Sequence, residues 1–325
     1  MSAHESTHEQ QRYDVVVVGG GAAGLSAALI LGRSRRRTLV VDAGEPRNAP
    51  AAHMQGFLSR DGMNPAEFLE AGRREIAAYG VEWRAGLVTR AVPNEVDGFE
   101  DGFEVTIDGE HTVRTRRLIV TTGLVDGLPE IDGVAERWGR EVLHCPYCHG
   151  WEVRDRAFGV IAHPVMPAHQ ALMVSQWSDD VTLFLHTAPP LSEEDRGRVA
   201  AAGITVVTGE VAGLVVEDDR MTGVRMADGR LVERSVLFVG TRMTPRDELL
   251  TELGAATHDT PLGTFVTVDA TGRTSVPGVW AAGNAIGPAE QAINAASGGY
   301  RAGVTVNAEL ILADLDRKAA ASTAG

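Results

Sequence analysis

Tyr13-Asp14-Val15-Val16-Val17-Val18-Gly19-Gly20-Gly21-Ala22-Ala23-Gly24 is the stretch whose reading decides the fold. Its four consecutive valines show no polar alternation, the pattern of a strand buried on both faces. The run passes straight into Gly-x-Gly-x-x-Gly and then into a helical stretch from Leu25 to Gly32. A second strand, Thr38 to Val41, ends in Asp42, an acid about twenty residues beyond the glycines. Gly19 permits a tight turn, Gly21 lets the backbone approach a pyrophosphate, and Gly24 lets the helix pack close to the strand. The helix N-terminus attracts phosphate, and Asp42 is placed to bond a ribose hydroxyl. The glycines alone are weak evidence. With strand, helix and acid all in place they predict dinucleotide binding.

A second stretch carries chemistry: His144-Cys145-Pro146-Tyr147-Cys148-His149-Gly150. It holds the only 2 cysteines of the 325 residues. Their spacing lets one turn bring both sulfurs within disulfide reach. Pro146 suits the first position of a helix, where a missing N–H has no partner to lose. Cys145 is then expected to cap a helix N-terminus, whose partial positive charge favours a thiolate. His144 and His149 add positive charge or move a proton. The stretch reads as a redox dithiol. Three other readings fit less well. The Cys-x-x-Cys-His pattern of c-type haem attachment belongs to exported proteins, and export is not expected here, with no export signal visible. A zinc site needs a second ligand pair, and there is no second cysteine pair, so no metal is expected. A structural disulfide across so short a loop adds little stability.

The chain as a whole sets bounds on these readings. Its length suggests two domains. With 44% hydrophobic residues and 37 glycines it is a globular chain rich in turns. A net charge of −14 argues against a nucleic-acid or anionic-membrane partner. No apolar run reaches the length of a membrane span. Met1 to Arg12 is polar and expected to be a disordered leader, and Lys318 to Gly325 is expected to fray. A cytoplasmic location follows, where a CxxC is more often catalytic than structural.

Pro65 to Tyr79 is predicted helical, with Phe68, Leu69 and Ile76 on one side. Val81 to Thr121 is strand-like, with Asp108-Gly109 as a hairpin turn, and closes on Leu118-Ile119-Val120-Thr121-Thr122-Gly123. A short helical piece is expected around Ala135 to Arg140. Phe158 to Ala162 opens a second βαβ unit, followed by a helix around Ala168 to Trp177, a strand Val181 to Leu185 and a helix Ser192 to Ala201. Ile204 to Val207 is a strand, and Val211 to Glu233 is a meander turning at Asp218-Asp219 and Asp228-Gly229. After Leu237 to Gly240, a strand Phe265 to Asp269 and the segment Val276 to Asn284 lead into an Ala-rich helical stretch from about Ala289 to Leu315. Gly298-Gly299 interrupts that stretch. It marks either a close approach to a ligand or another helix, or a loosely packed kink.

Four landmarks now stand in one order: Gly19–Gly24, Thr121-Thr122-Gly123, Cys145-x-x-Cys148, and Val279-Trp280-Ala281-Ala282-Gly283-Asn284. From about Tyr13 to Leu315 the chain resembles the thioredoxin-reductase-type flavoproteins. The resemblance implies an α/β fold of two Rossmann-like, three-layer ββα domains. The FAD domain is discontinuous, residues 1–122 and 243–325, with an inserted NAD(P)-domain-like unit, residues 123–242, carrying the CxxC. It also implies a homodimer. Carried over residue by residue, Gly19, Gly21, Ala22, Ala23, Gly24 and Asp42 hold the ADP half of FAD. Gly283 and Asn284 meet its phosphates and ribitol. The family usually has Asp where this chain has Asn284, and Asn still donates and accepts hydrogen bonds. Gln291 and Ala292 match the start of a helix aimed at the flavin ring, whose N-terminus stabilises negative charge. The same mapping puts Cys148 nearest the flavin and Cys145 toward the substrate.

The middle domain departs from that pattern. An NADPH-binding unit needs a second glycine-rich loop and an arginine cluster for the 2′-phosphate. Here the loop reads Gly159-Val160-Ile161-Ala162-His163-Pro164-Val165-Met166-Pro167-Ala168, and the second position His186-Thr187-Ala188-Pro189-Pro190. The nicotinamide site is therefore expected to be degenerate. This combination, with His on both sides of the cysteines, resembles the dithiol oxidases that close disulfides such as those of gliotoxin and holomycin. The implied partners are a small-molecule dithiol and dioxygen, giving hydrogen peroxide, with His144 or His149 as base. The alternatives are a thioredoxin-reductase-like enzyme reduced by ferredoxin or another non-NADPH donor, one reduced by NADPH through a diverged site, and a flavin-bearing redox sensor.

Overall fold

The computed structural model describes residues 11–96 and 99–323. It divides into two compact units. One is built from the chain up to Arg47, Ala66–Val125 and Pro245 onward; the other from Asn48–Pro65 and Asp126–Thr244.

The first unit opens with β1 (Arg12–Val18), α1 (Ala22–Arg33) and β2 (Thr38–Asp42), followed by α2 (Pro65–Ala77) and β3 (Glu82–Ala85). A meander of β4 (Val88–Val96), β5 (Phe99–Ile107) and β6 (His111–Val120) completes this run. Met1–Gln10 lie outside the described residues, but Arg12 already belongs to β1 and is not leader. The predicted hairpin turn is observed: Asp108 and Gly109 both have positive φ, 54° and 75°, the pair of left-handed residues that a tight hairpin requires.

The chain then builds the second unit. It runs through β7 (Leu124–Gly127), β8 (Val142–Leu143), the one-turn helix α3 (Pro146–His149), β9 (Phe158–Ile161), α4 (His169–Val174), β10 (Val181–Phe184), α5 (Glu193–Ala201) and β11 (Thr205–Val207). The meander β12 (Val211–Glu217), β13 (Arg220–Met226) and β14 (Leu231–Glu233) follows, then β15 (Val236–Val239) and β16 (Arg242–Pro245). The parallel sheet has the order β11-β10-β9-β15-β8. One face packs Leu143, Phe158, Val160, Leu183 and Phe238 with residues of α4 and α5; the other packs Ile161, Phe184 and Leu237 with the meander's Val211, Met221 and Val224. These strands alternate sides at period two, so a nearly continuous apolar run serves both layers. α5 is capped as its sequence suggests, Ser192 Oγ accepting from the Asp195 amide at 3.0 Å.

The helix expected around Ala135 to Arg140 is not formed; Gly133 to Glu141 is a series of turns. Gly133 and Gly139 take φ of 85° and 79°, which a right-handed helix excludes. Arg137 instead acts as a post, bonded to Glu141 at 2.8 Å and to Asp219 at 2.6 Å.

The return to the first unit adds α6 (Glu248–Glu252), the hairpin β17 (Thr257–Thr260) and β18 (Gly263–Val266), β19 (Val279–Ala281) and α7 (Ala292–Thr323). The sheet order is β3-β2-β1-β6-β5-β4, and β19 also pairs with β6. β5 pairs with the first half of β6 and β19 with residues 118–120, so one strand serves a meander and a parallel sheet in turn. Val15 and Val17 face α1 and α7, while Val16 and Val18 face the meander layer.

α7 decides between the two readings of Gly298-Gly299: it is unbroken there and Gly299 lies against the Ala23 backbone of α1, so the close approach to another helix holds and the kink does not. It also corrects an expectation, continuing to Thr323 instead of fraying at Lys318. Its second half is held by charges that are almost wholly buried. Arg116, 6% exposed, bonds Asp14 and Asp314; Arg117, 3% exposed, bonds Glu309. Arg36 adds bonds to Asn307 and Asp314. Buried guanidinium groups must be paired, so these arginines fix where α7 lies.

Candidate active site

Two groups of residues bear on function, one in each unit. In the first, Gly19 turns the chain with φ of 100°, its amide bonded to Val41 O at 2.8 Å. Thr121 Oγ1 donates within 2.9 Å of both the Val18 and Gly19 carbonyls and locks the turn to the end of β6. A Cβ on Gly24 would lie 1.9 Å from Gly19 O, so the close helix–strand approach tolerates glycine alone. Gly20 N donates to Asp42 Oδ1 at 3.0 Å. Gly21 is the N-cap of α1 with no side-chain cap, and a Cβ there would meet nothing within 4 Å. The N-terminus of a 12-residue helix is thus open beside Gly21 among the described residues, and Ala22 and Ala23 form its first turn. That cradle fits a dinucleotide pyrophosphate.

The other predicted cofactor residues lie in the same unit. Gly283 has φ of 71° and begins a short turn after β19. Asn284 Nδ2 donates to Gly287 O at 2.9 Å, and its Oδ1 accepts from Arg47 at 3.3 Å. Arg47 carries no sequence signal: it is one arginine of a loop. Gln291 precedes α7, its carbonyl accepting from Ala295 N at 2.8 Å, and Ala292 is the first helical residue.

In the second unit Cys145 and Cys148 form a disulfide with Cα atoms 5.3 Å apart. Cys145 is the N-cap of α3 and Pro146 its first residue, as the sequence predicts. The turn is anchored from both ends. On one side Leu143 pairs with Phe238 of β15. On the other, Gly150 N donates to Pro146 O at 2.6 Å, and its Cα lies against the Trp177 indole. Tyr147, 71% exposed, meets Trp177 edge-to-face at 5.6 Å.

The two histidines differ. His144 Nδ1 lies 3.0 Å from Val239 O, and its backbone carbonyl accepts from Gln170 Nε2 at 2.6 Å. Burial, the largest cause, pushes the His149 pKa below the usual imidazole value; His144 reinforces this and Glu152 opposes it. His149 is therefore neutral at neutral pH. His163 is also pushed down, first by burial and then by His144, so three imidazoles share this end of the unit. Gln170, Trp177 and the Val239 carbonyl carry no motif, and no sequence signal marks them.

At the expected second glycine-rich turn the chain runs from β9 through Ala162 and His163 to a helix of 6 residues. The His163 ring packs on Gly240 closely enough that a Cβ there would lie 2.9 Å from it, and His163 Nδ1 accepts from Val165 N at 3.2 Å. His186 Nδ1 accepts from Val211 N at 3.0 Å.

No group of three or more His, Cys, Asp or Glu among the described residues is arranged to hold a metal, and no helix is long and apolar enough to cross a membrane. Residues 13–299 match the family model "pyridine nucleotide-disulphide oxidoreductase". The thioredoxin reductase tcpT of Claviceps purpurea is 31% identical over 321 residues, covering 93% of this chain and 95% of that one. The thioredoxin reductase sirT of Leptosphaeria maculans is 29% identical over 316 residues, covering 93% and 96%. The crystal structure of HlmI superposes with a TM-score of 0.90 at 48% identity, covering 96% of this chain and 97% of that one.

Proposed function

The chain belongs to the pyridine nucleotide-disulphide oxidoreductase family, and from that premise we propose that it oxidises a small-molecule dithiol to an intramolecular disulfide at the expense of dioxygen. It is a thioredoxin-reductase-like oxidoreductase and its cofactor is FAD. On this reading the first unit is the FAD-binding domain. Gly19, Gly21, Ala22, Ala23, Gly24 and Asp42 would hold FAD together with Gly283, Asn284, Gln291 and Ala292. When bound, FAD supplies the two-electron acceptor that returns the cysteines to the disulfide.

The observation that carries the proposal is a histidine-flanked disulfide in a Rossmann-like unit whose second dinucleotide turn is Ala162-His163-Pro164 instead of glycines. The missing glycines speak against a nicotinamide nucleotide there and favour electrons entering from the dithiol. A substrate thiol loses its proton and its sulfur attacks Cys145 Sγ. The Cys145–Cys148 bond breaks and Cys148 leaves with the electron pair. The second substrate thiol, deprotonated in turn, displaces Cys145. The product is a cyclic disulfide, and both cysteines are left reduced. Overall, a dithiol and dioxygen give a disulfide and hydrogen peroxide. His144 is the better base of the two: its Nδ1 faces a carbonyl, which leaves Nε2 with the lone pair. A cytoplasmic setting suits chemistry that has to start from reduced thiols.

Under anaerobic conditions a small dithiol is expected to bleach the flavin absorbance, and air to restore it with one hydrogen peroxide per cycle. NADPH and NADH are expected to leave the absorbance unchanged. Stoichiometric bleaching by NADPH would return the protein to the nicotinamide-driven reductases. Bleaching by dithiol that air does not reverse would favour an electron-carrier partner over an oxidase.

α7 supports the homodimer. Its buried face carries Ala295, Gly299, Ala302, Gly303, Val306 and Leu310. Ile293, Tyr300, Val304, Ile311 and Leu315, each at least 40% exposed, recur at steps of 7, 4, 7 and 4 on another face. Such spacing keeps one stripe over about 33 Å of helix. Tyr300 also lines a groove of about 450 Å³ with Leu29, Ile30 and Tyr79. A helix apolar on two faces has two partners, and a second copy offers the same stripe to this one. Tyr300→Asp combined with Ile311→Asp is expected to sediment as a monomer with FAD retained. An unchanged dimer would place the interface elsewhere.

A further inference from the structure

Gln170 belongs to no sequence motif, yet it grips the residue that precedes the disulfide. It projects from α4, and its Nε2 donates to His144 O at 2.6 Å and to Val239 O at 3.4 Å. Val239 O is also the atom that faces His144 Nδ1, at 3.0 Å. A carbonyl oxygen only accepts. The Nδ1 of neutral His144 therefore carries the proton, and the lone pair falls on Nε2. One side-chain amide thus holds His144 by its backbone and also holds the carbonyl that orients its ring.

The far end of the amide is informative. Gln170 Oε1 is buried and has no hydrogen-bond partner among the described residues. A buried acceptor left unpaired lowers stability, and such groups are rare in folded proteins. Turning the amide over would not help, because it would set an oxygen against two carbonyls. A leucine of similar size would remove the unpaired oxygen altogether. It would also take away the donor of His144 O, so what the glutamine adds at the cost of that oxygen is its grip on His144.

We propose that Gln170 is a positioning residue that fixes the orientation and tautomer of His144, so that Nε2 is the nitrogen that accepts the proton of the substrate thiol. This rests on the dithiol-oxidase reading above. The step it serves is balanced: the thiol proton passes to Nε2, the thiolate forms a bond to Cys145 Sγ, and Cys148 departs as thiolate. The imidazolium then holds the proton for the leaving sulfur. Among the titratable groups near it, His144 acts on His149 and His163, and Glu152 acts on His149.

The test uses the FAD-loaded full chain and dithiothreitol, mixed anaerobically, with the flavin absorbance followed from pH 5 to 9. Gln170→Leu is expected to retain FAD and to melt within a few degrees of wild type, because the unpaired oxygen disappears along with the bonds. Its maximal rate is expected to fall about 10- to 100-fold, the scale of a misplaced base, with little change in the half-saturating dithiothreitol. Gln170→Glu is the sharper variant. Its carboxylate opposes two carbonyls at neutral pH, but once protonated its O–H can donate to His144 O. Relative to Gln170→Leu, its rate is expected to recover as pH falls. Wild-type rates in Gln170→Leu across the pH range, or no recovery of Gln170→Glu relative to it, would overturn the proposal. A Gln170→Leu protein that loses FAD or melts far lower would assign the residue a purely structural role and also overturn it. A wild type inert to every dithiol overturns the underlying reading instead, a result visible before any variant is made.

Discussion

Cys145→Ser is expected to lower the proposed dithiol oxidation by about 10⁴-fold or more, the scale seen when a covalent nucleophile is removed from an enzyme. The disulfide joining Cys145 to Cys148 is the only one the chain can make, because it has just 2 cysteines. Without the Cys145 sulfur, an incoming thiolate has nothing to exchange with at the proposed substrate end. Cys148→Ser is expected to be equally slow in turnover, because the second sulfur that completes the cycle is missing. The two variants part company in trapping. Cys148→Ser keeps the exchanging sulfur and should hold an activated substrate thiol as a mixed disulfide, measurable as added mass, while Cys145→Ser should not. The double variant should lose little more than either single one, since the pair works as a unit. A Cys145→Ser protein oxidising dithiols at the wild-type rate would show that the electrons take another path.

Gly299→Ala is expected to unfold the first unit or strip it of FAD, whereas Gly298→Ala next to it is harmless. A Cβ on Gly299 would lie 1.9 Å from the Ala23 carbonyl oxygen and 2.6 Å from its carbon, both backbone atoms of α1. Backbone has no rotamer to retreat into, so α1 and α7 must separate. Ala23 is also in the first turn at the cofactor cradle. The cost is roughly 4–5 kcal/mol or more, comparable to the whole stability of many domains. On Gly298 the nearest atom to a new Cβ is Ala282 Cβ at 3.6 Å, an ordinary contact. There the higher helix propensity of alanine is expected to add about 0.5–1 kcal/mol. Chemical denaturation and the FAD content of the purified variants would check both. Equal stability for the pair would mean that the helices do not cross at Gly299.

The cysteine pair, its N-capping position and Pro146 at the first helical turn were legible in the sequence, because a local spacing dictates a local geometry. The same holds for Gly19, Gly24 and the turn at Asp108-Gly109, where a required left-handed or close-packed backbone leaves glycine as the residue of choice. Gly298-Gly299 was only half legible. Two glycines in an Ala-rich run signal something unusual, but a kink and a close helix crossing leave the same letters. At Ala135 to Arg140 the expected helix gives way to turns, because Gly133 and Gly139 take φ of 85° and 79°. The local bond of Arg137 to Glu141 and its tertiary bond to Asp219 hold that course.

By itself the sequence determined that this chain carries the glycine pattern of a dinucleotide-binding turn in its first βαβ unit, a cysteine pair in its middle segment, and no glycines for a second such turn there. Each of these follows from residues close together along the chain. The tertiary structure alone decided that Gly299 exists for Ala23, that buried Arg116 and Arg117 bind α7 in place, and that Gln170 and the Val239 carbonyl stand behind His144. Those contacts span 26 residues for Gln170 and His144 and 198 for Arg116 and Asp314. A hydrogen bond between side chain and backbone leaves no periodicity to read, and a backbone carbonyl has no letter in the sequence. Which polar residue meets it is settled only when the strands and helices have packed.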